Sequence, residues 1–167
     1  MLVNWNERPQ DVANLLNPAF TGLLLYRATV GYSKEADTGI PFELMFLVLP
    51  IVLHESTRNR LPSKVTTQLT TWLQDERDIL LGFSDRVTDL VPYTREAILY
   101  LTTHRLLRLE HDGRFHVGSA RFKQGIGELT DSSDEVKHCH KVSLAVGRWL
   151  ALSGSPTTMY ALLGIKP

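Results

Sequence analysis

Ten consecutive residues, Leu44–Leu53 (LMFLVLPIVL), contain no polar side chain. A run this apolar is buried on every side, either within a protein core or within a membrane. It falls well short of the roughly 20 apolar residues that a spanning helix needs, and Pro50 interrupts it. The run therefore predicts a helix from Phe42 to Leu53 at the centre of a domain, entered through Pro41 and surrounded by other helices. With 167 residues, 43% of them hydrophobic, the chain has the material to enclose such a helix.

The punctuation on either side marks mostly helices. Asn17-Pro18 reads as an N-cap followed by proline in the first turn, where its missing N–H is not needed. A helix through Phe20, Leu24 and Ala28 would end at Gly31 in a left-handed C-cap, with Tyr32–Gly39 as a loop. After the loop HESTRNRLP, Ser63 would cap a short helix carrying Val65, Leu69, Trp72 and Leu73 on one face. Ile79, Leu80, Phe83, Val87, Leu90 and Val91 predict a helix over 76–91 that Pro92 ends or kinks, and a further helix follows through Ala97, Ile98 and Leu101.

The segment LLRLEHDGRFHV is the β signal. A two-residue Asp-Gly turn would put Leu109 and Phe115 on different faces, because a one-residue slip moves every side chain across the sheet. A three-residue loop, His111-Asp112-Gly113, with Gly113 left-handed in a bulge, restores a single apolar face. Leu107 then faces Val117 and Leu109 faces Phe115 on the buried side. Arg108/His116 and Glu110/Arg114 pair across the solvent side.

In the last third, Ser132 and Glu135 have capping-box spacing. A helix of about twenty residues carries Val136, Cys139, Val142, Val146 and Trp149 at helical period and closes at Gly154. Ser155-Pro156 opens a short terminal helix through Met159, Leu162 and Leu163 that stops at Gly164. The expected architecture is mainly α with minor β: a single domain over 1–167, with a helical part at 9–105, a hairpin wing at 106–118 and C-terminal helices at 132–164. Helices followed by a hairpin is the order of a winged-helix unit.

Charge and motifs narrow the function classes. Eighteen basic residues balance eighteen acidic ones, so no overall field draws the chain to nucleic acid or an anionic membrane. The single cysteine, Cys139, excludes a disulfide framework and fits a reducing, cytoplasmic setting. The N-terminal residues lack the basic-then-apolar pattern of a signal peptide. There is no Walker-type phosphate loop, no G-x-S-x-G elbow and no H-E-x-x-H pair, and Gly125-Ile126-Gly127 reads as a turn. His138 and His140 would point about 200° apart on a helix, so they cannot share one metal ion. Asp85, Asp89, Glu96 and Asp131 have no spacing for paired acid–base work. These readings give no catalytic residue, no cofactor and no metal.

Two sets of residues remain as candidates. From Arg105 to Lys123 the hairpin region carries Arg105, Arg108, Arg114, Arg121 and Lys123, and a wing of that charge suits contact with DNA phosphates. The other set is apolar. Phe20, Leu23–Leu25, the Phe42–Leu53 run, Trp149, Leu150, Leu152, Tyr160, Leu162, Leu163 and Ile165 exceed what one small core requires, so a partner is expected to cover part of them.

Five blocks together resemble a known family: NPAFTGLLLYRATVGY, GIPFELMFLVLPIVLHESTRNRLP, TTWL, YTREAILYL and GRWLALSGSPTTMYALLGIKP. In sequence and order they are similar to the middle component of bacterial three-component ABC systems. The most specific elements are Leu49-Pro50 with Leu53-His54, Thr57-Arg58 with Leu61-Pro62, Gly147-Arg148-Trp149 and the ending Leu163–Pro167. Such endings more often read Gly-Val-Arg-Pro; Ile165 and Lys166 keep the bulk and the charge, although lysine cannot reproduce an arginine fork. The resemblance implies an accessory subunit that joins an SMC- or Rad50-like ABC ATPase to an effector, commonly a nuclease, with Lamassu-type defence as the functional analogue. Trp149, Tyr160, Leu162, Leu163, Ile165 and Pro167 are the residues expected at the partner contact.

Overall fold

The computed structural model describes residues 7–122 and 133–165. Among the described residues, eight α-helices and three short strands order as α1 (Gln10–Leu15), α2 (Pro18–Ala36), β1 (Ile40–Pro41), α3 (Met45–Val52), α4 (Glu55–Asn59), α5 (Leu69–Asp75), α6 (Phe83–Thr103), β2 (Leu107–Leu109), β3 (Arg114–Val117), α7 (Asp134–Leu152) and α8 (Pro156–Leu162). The architecture is mainly α with one small antiparallel sheet, as the patterning required.

Helix α3 is the centre. Every residue from Met45 to Val52 is buried except Phe46, and α2, α6 and α7 pack around it. A 3-10 turn, Phe42–Leu44, leads into it, so the first turn is tighter than a regular α-helix. Among the described residues no helix is long and apolar enough to cross a membrane.

Helix α2 begins as expected, with the Asn17 side chain accepting from the Ala19 N–H at 2.8 Å. It does not end at Gly31. It runs on to Ala36, and Asp37 takes the left-handed position at φ 50°. Gly31 serves packing instead: a Cβ there would lie 2.1 Å from the Leu144 carbonyl oxygen of α7. Gly147 on α7 does the same in return, with a Cβ position 1.9 Å from the Ala28 carbonyl oxygen. The two glycines let α2 and α7 approach backbone to backbone along the largest helix contact in the fold.

Three other helix boundaries differ from the sequence reading. Short α4 forms inside the HESTRNRLP loop, with the His54 side chain accepting from the Thr57 N–H at 3.2 Å. Helix α5 starts at Leu69 without a side-chain cap, and Ser63 and Val65 stay in the preceding loop. That loop is pinned by two indoles: Trp72 donates to the Arg60 carbonyl at 2.7 Å and Trp149 to the Thr67 carbonyl at 2.8 Å. The stretch expected as one helix that Pro92 ends or kinks becomes a 3-10 turn (Arg77–Leu80), left-handed Gly82 and then α6, which continues beyond Pro92. An interior proline costs about 3 kcal/mol. Here Phe83, Val87, Thr94, Ala97 and Leu101 form one buried stripe across the proline, and its burial outweighs the loss.

The hairpin has the bulged register. Leu107 pairs with Val117, Arg108 with His116 and Leu109 with Phe115, and Gly113 is left-handed at φ 75°. Two details differ. Leu109 is 53% exposed, because the ribbon leaves the core after Leu107. Glu110 does stand opposite Arg114, its N–H donating to the Arg114 carbonyl at 3.0 Å, but its carboxylate pairs with Arg108 at 2.8 Å, and the Arg114 Nη1 donates to the Gly39 carbonyl at 3.0 Å. That carbonyl is within reach because β1 adds to the sheet on the far side of β3, giving the order β1-β3-β2. Two residues are too short a strand to show an alternation, so β1 left no trace in the sequence pattern.

Ser133 caps α7, its hydroxyl accepting from the Val136 N–H at 3.3 Å. Ser132, to which the capping-box spacing pointed, lies outside the described residues. Left-handed Gly154 then separates α7 from α8, which has Ser155 as its cap, Pro156 in its first turn and left-handed Gly164 beyond its end.

Candidate partner interface

Gly147-Arg148-Trp149 occupies three different environments on successive positions of α7. Gly147 faces the α2 backbone, as above. The Arg148 Nε donates to Glu35 Oε1 of α2 at 2.5 Å, so the pair clamps the same two helices from the rim. Trp149 is 2% exposed and packs edge-on against Trp72, with ring centroids 4.9 Å apart and planes at 82°. Its ring and its N–H are both satisfied within the chain. Trp149 therefore stands in the interior, and the loop across residues 60–67 lies over it.

Helix α8 has two sides. Met159, Leu163 and Ile165 are buried against the rest of the chain, so this short helix finds its packing surface on its own domain. Tyr160 and Leu162 are half-buried and flank it. The Tyr160 hydroxyl donates to the Glu43 carbonyl at 2.7 Å, and burial, with Glu43 second, pushes its pKa up to about 12. Beside this bond lies a groove of about 360 Å³ lined by Glu43, Pro156, Thr157, Tyr160, Ala161 and Ile165. On the other flank Leu162 shares a second depression with Thr70, Leu73, Gln74, Arg77 and Leu80. Pro167 lies outside the described residues.

The apolar surplus read from the sequence is mostly internal. Leu23, Leu24, Leu25, Leu44–Val52 other than Phe46, Trp149, Leu150, Leu163 and Ile165 belong to the buried core, while Phe42 and Leu152 are the exposed members at 40% and 38%. The part of this set left open to a partner is a few residues around α8 and Phe42. Sequence reasoning missed Trp72 as the partner of Trp149 and Glu43 as the acceptor for Tyr160. Both contacts are long-range, and no local period links residues 77 or more positions apart.

The basic residues of the hairpin do not form one open patch. Arg108 is tied to Glu110, Arg114 to Gly39 and Asp112, and Arg121 folds back onto the carbonyls of Gly118 and Ala120. Arg105 is exposed, in the left-handed conformation at φ 56°. Lys123 lies outside the described residues. On α7, His138 is exposed whereas Cys139 and His140 are buried, so the three side chains do not converge. Among the described residues no cluster of three or more histidine, cysteine or carboxylate side chains could hold a metal ion.

The candidate residues thus divide into a tryptophan-centred core, a half-exposed apolar flank and an ion-paired hairpin, on a mainly α domain with a small sheet. The model of the ABC-three component (ABC-3C) system Middle Component 3 family matches residues 5–167, and the chain belongs to that family. No curated protein and no solved structure matches the sequence. Membership makes the chain one component of a multi-component ABC system, consistent with an accessory subunit, and implies protein partners.

Proposed function

We propose that this chain is a non-catalytic adaptor that links an SMC- or Rad50-like ABC ATPase to an effector, a nuclease, in a cytoplasmic anti-phage or anti-plasmid complex of the Lamassu kind. Family membership over residues 5–167 carries the reading. The flank of α8 supports a place for the contact, because Tyr160 and Leu162 border two apolar depressions while Met159, Leu163 and Ile165 are committed to the core. Buried Trp149, Leu163 and Ile165 act through the fold, so the contact surface narrows to Tyr160, Leu162 and their neighbours, with Pro167 just beyond. Leu162→Asp, made at a half-exposed position, is expected to keep the thermal melt of the wild-type chain and to lose co-purification with the ATPase encoded beside it. Wild-type recovery of the ATPase by a folded Leu162→Asp chain would remove α8 from the interface.

A second reading, a winged-helix module touching the DNA backbone, draws support from the element order. A strand between α2 and α3 joins the hairpin into a three-stranded sheet, an order that suits a winged-helix unit. With Arg108, Arg114 and Arg121 engaged internally, Arg105 is the better candidate for a phosphate, and Lys123, outside the described residues, is the other. Reversing both charges should weaken DNA binding about equally across sequences and flatten its salt dependence. Absence of DNA affinity at low salt, in the chain and in the complex, would dispose of this reading.

A further inference from the structure

We propose that His54, Thr57 and Arg86 form a binding site for a single carboxylate group. The argument is a donor inventory. His54 caps α4, and its Nδ1 accepts from the Thr57 N–H at 3.2 Å, so Nδ1 carries no hydrogen. The Thr57 hydroxyl, 2.9 Å from the same nitrogen, donates to it as well. In the neutral ring the hydrogen must then sit on Nε2. That N–H faces Arg86 Nη1 at 3.4 Å, and a guanidinium nitrogen can only donate. Two donors that face each other require an acceptor between or beside them.

Arg86 is otherwise under-used. Its Nη2 reaches the Thr57 hydroxyl at 3.4 Å, at the long limit of a hydrogen bond, and its Nε is buried with no acceptor. Among the described residues no carboxylate pairs with it. Its guanidinium lies over the Phe83 ring, 5.3 Å from the centroid, which holds the plane of the fork in place. Burial, followed by the charges of Arg86, Arg60 and Arg58, depresses the His54 pKa and keeps the ring neutral.

The surroundings favour one negative charge over several. Arg58 is taken by Glu135 at 3.2 Å, and Arg60 by Glu76 at 3.1 Å and Asp78 at 2.7 Å. The three carboxylates balance the three arginines in number, and Arg86 is the arginine that none of them engages. A carboxylate, matching the fork with two oxygens and adding one charge, fits this balance, whereas a phosphate dianion adds a charge that the neighbouring acids oppose. An acidic side chain of a partner protein is one natural source, but the site stands whether or not the chain is an adaptor.

The test is a titration of the whole chain with sodium acetate at constant ionic strength, read by the imidazole nitrogen and proton signals of His54. The expected result is a saturable shift of the Nε2 signal, weakened about tenfold or more in Arg86→Gln, because the variant loses the charged hydrogen bonds of the guanidinium. Arg86→Lys keeps the cation over Phe83 and guards against loss of the fold; it should bind with intermediate strength. A linear, unsaturated response to acetate overturns the site, as does an equal response in the folded Arg86→Lys and wild-type chains. Inorganic phosphate saturating well below acetate would overturn the carboxylate assignment.

Discussion

Replacing Gly147 with alanine tests the central packing claim by the sign of its effect. In an open helix interior, Gly→Ala stabilises by about 1 kcal/mol through helix propensity. At Gly147 the new methyl would sit 1.9 Å from the Ala28 carbonyl oxygen and 2.7 Å from its carbon, whereas ordinary contact begins at 3.4 Å. The obstacle is backbone inside α2, so no side chain can swing aside. Relief requires α2 and α7 to part by roughly 1.5 Å, and a gap of 0.5–1 Å already forfeits about a quarter to a half of the dispersion energy of the facing atoms. Overpacking typically costs about 1–3 kcal/mol, and with this contact we expect about 3 kcal/mol net of the propensity gain. For a chain of this size that corresponds to a fall in Tm of about 6–12 °C. Gly22→Ala is the control, because its new methyl meets only side-chain atoms of Tyr100 and Leu101 at 3.3–3.4 Å. Thermal and urea unfolding of both variants would decide the matter. Gly147→Ala at or above wild-type stability would refute the close approach of α2 and α7.

Trp149→Ala should cost about 3–5 kcal/mol, since it empties a packed site and leaves the Thr67 carbonyl without its donor; urea unfolding measures this. A stably folded Trp149→Ala chain that nonetheless fails to co-purify with the ATPase would return Trp149 to the interface. Stability should also fall as pH drops below about 6.5, because burial holds both His54 and His140 below that ordinary value and the unfolded chain takes up protons first. Denaturant midpoints at pH 7.5 and 5.5 check the sign, and equal midpoints would contradict it.

The local elements were largely legible. Asn17-Pro18, Ser155-Pro156 and the bulged loop at Gly113 each act within a few residues, so their chemistry is visible in sequence. The Gly31 boundary was not, because a glycine that ends a helix and a glycine that admits a neighbouring backbone look alike until the neighbour is placed. That the helix does not end at Pro92 was hidden for a related reason: the local cost of proline is readable, while the burial of the α6 stripe that offsets it depends on the elements packed against it. The candidate interface shows the same division. Trp149 on an apolar helix face is compatible with a core or with a contact, and Trp72, Arg60 and Thr67 decided for the core.

The sequence by itself determined that the chain is mainly helical around the Leu44–Leu53 run, that one hairpin interrupts the helices in a bulged register, and that the blocks follow the order of a middle component. Periodicity, capping and turn chemistry are short-range, so one dimension records them. Only the tertiary structure decided which residues face outward. It buried Trp149, Leu163 and Ile165, paired Arg148 with Glu35, and brought the Arg86 guanidinium to 3.4 Å from the His54 ring. Burial and charge pairing depend on what lies across a gap, and the elements on the two sides are far apart along the chain.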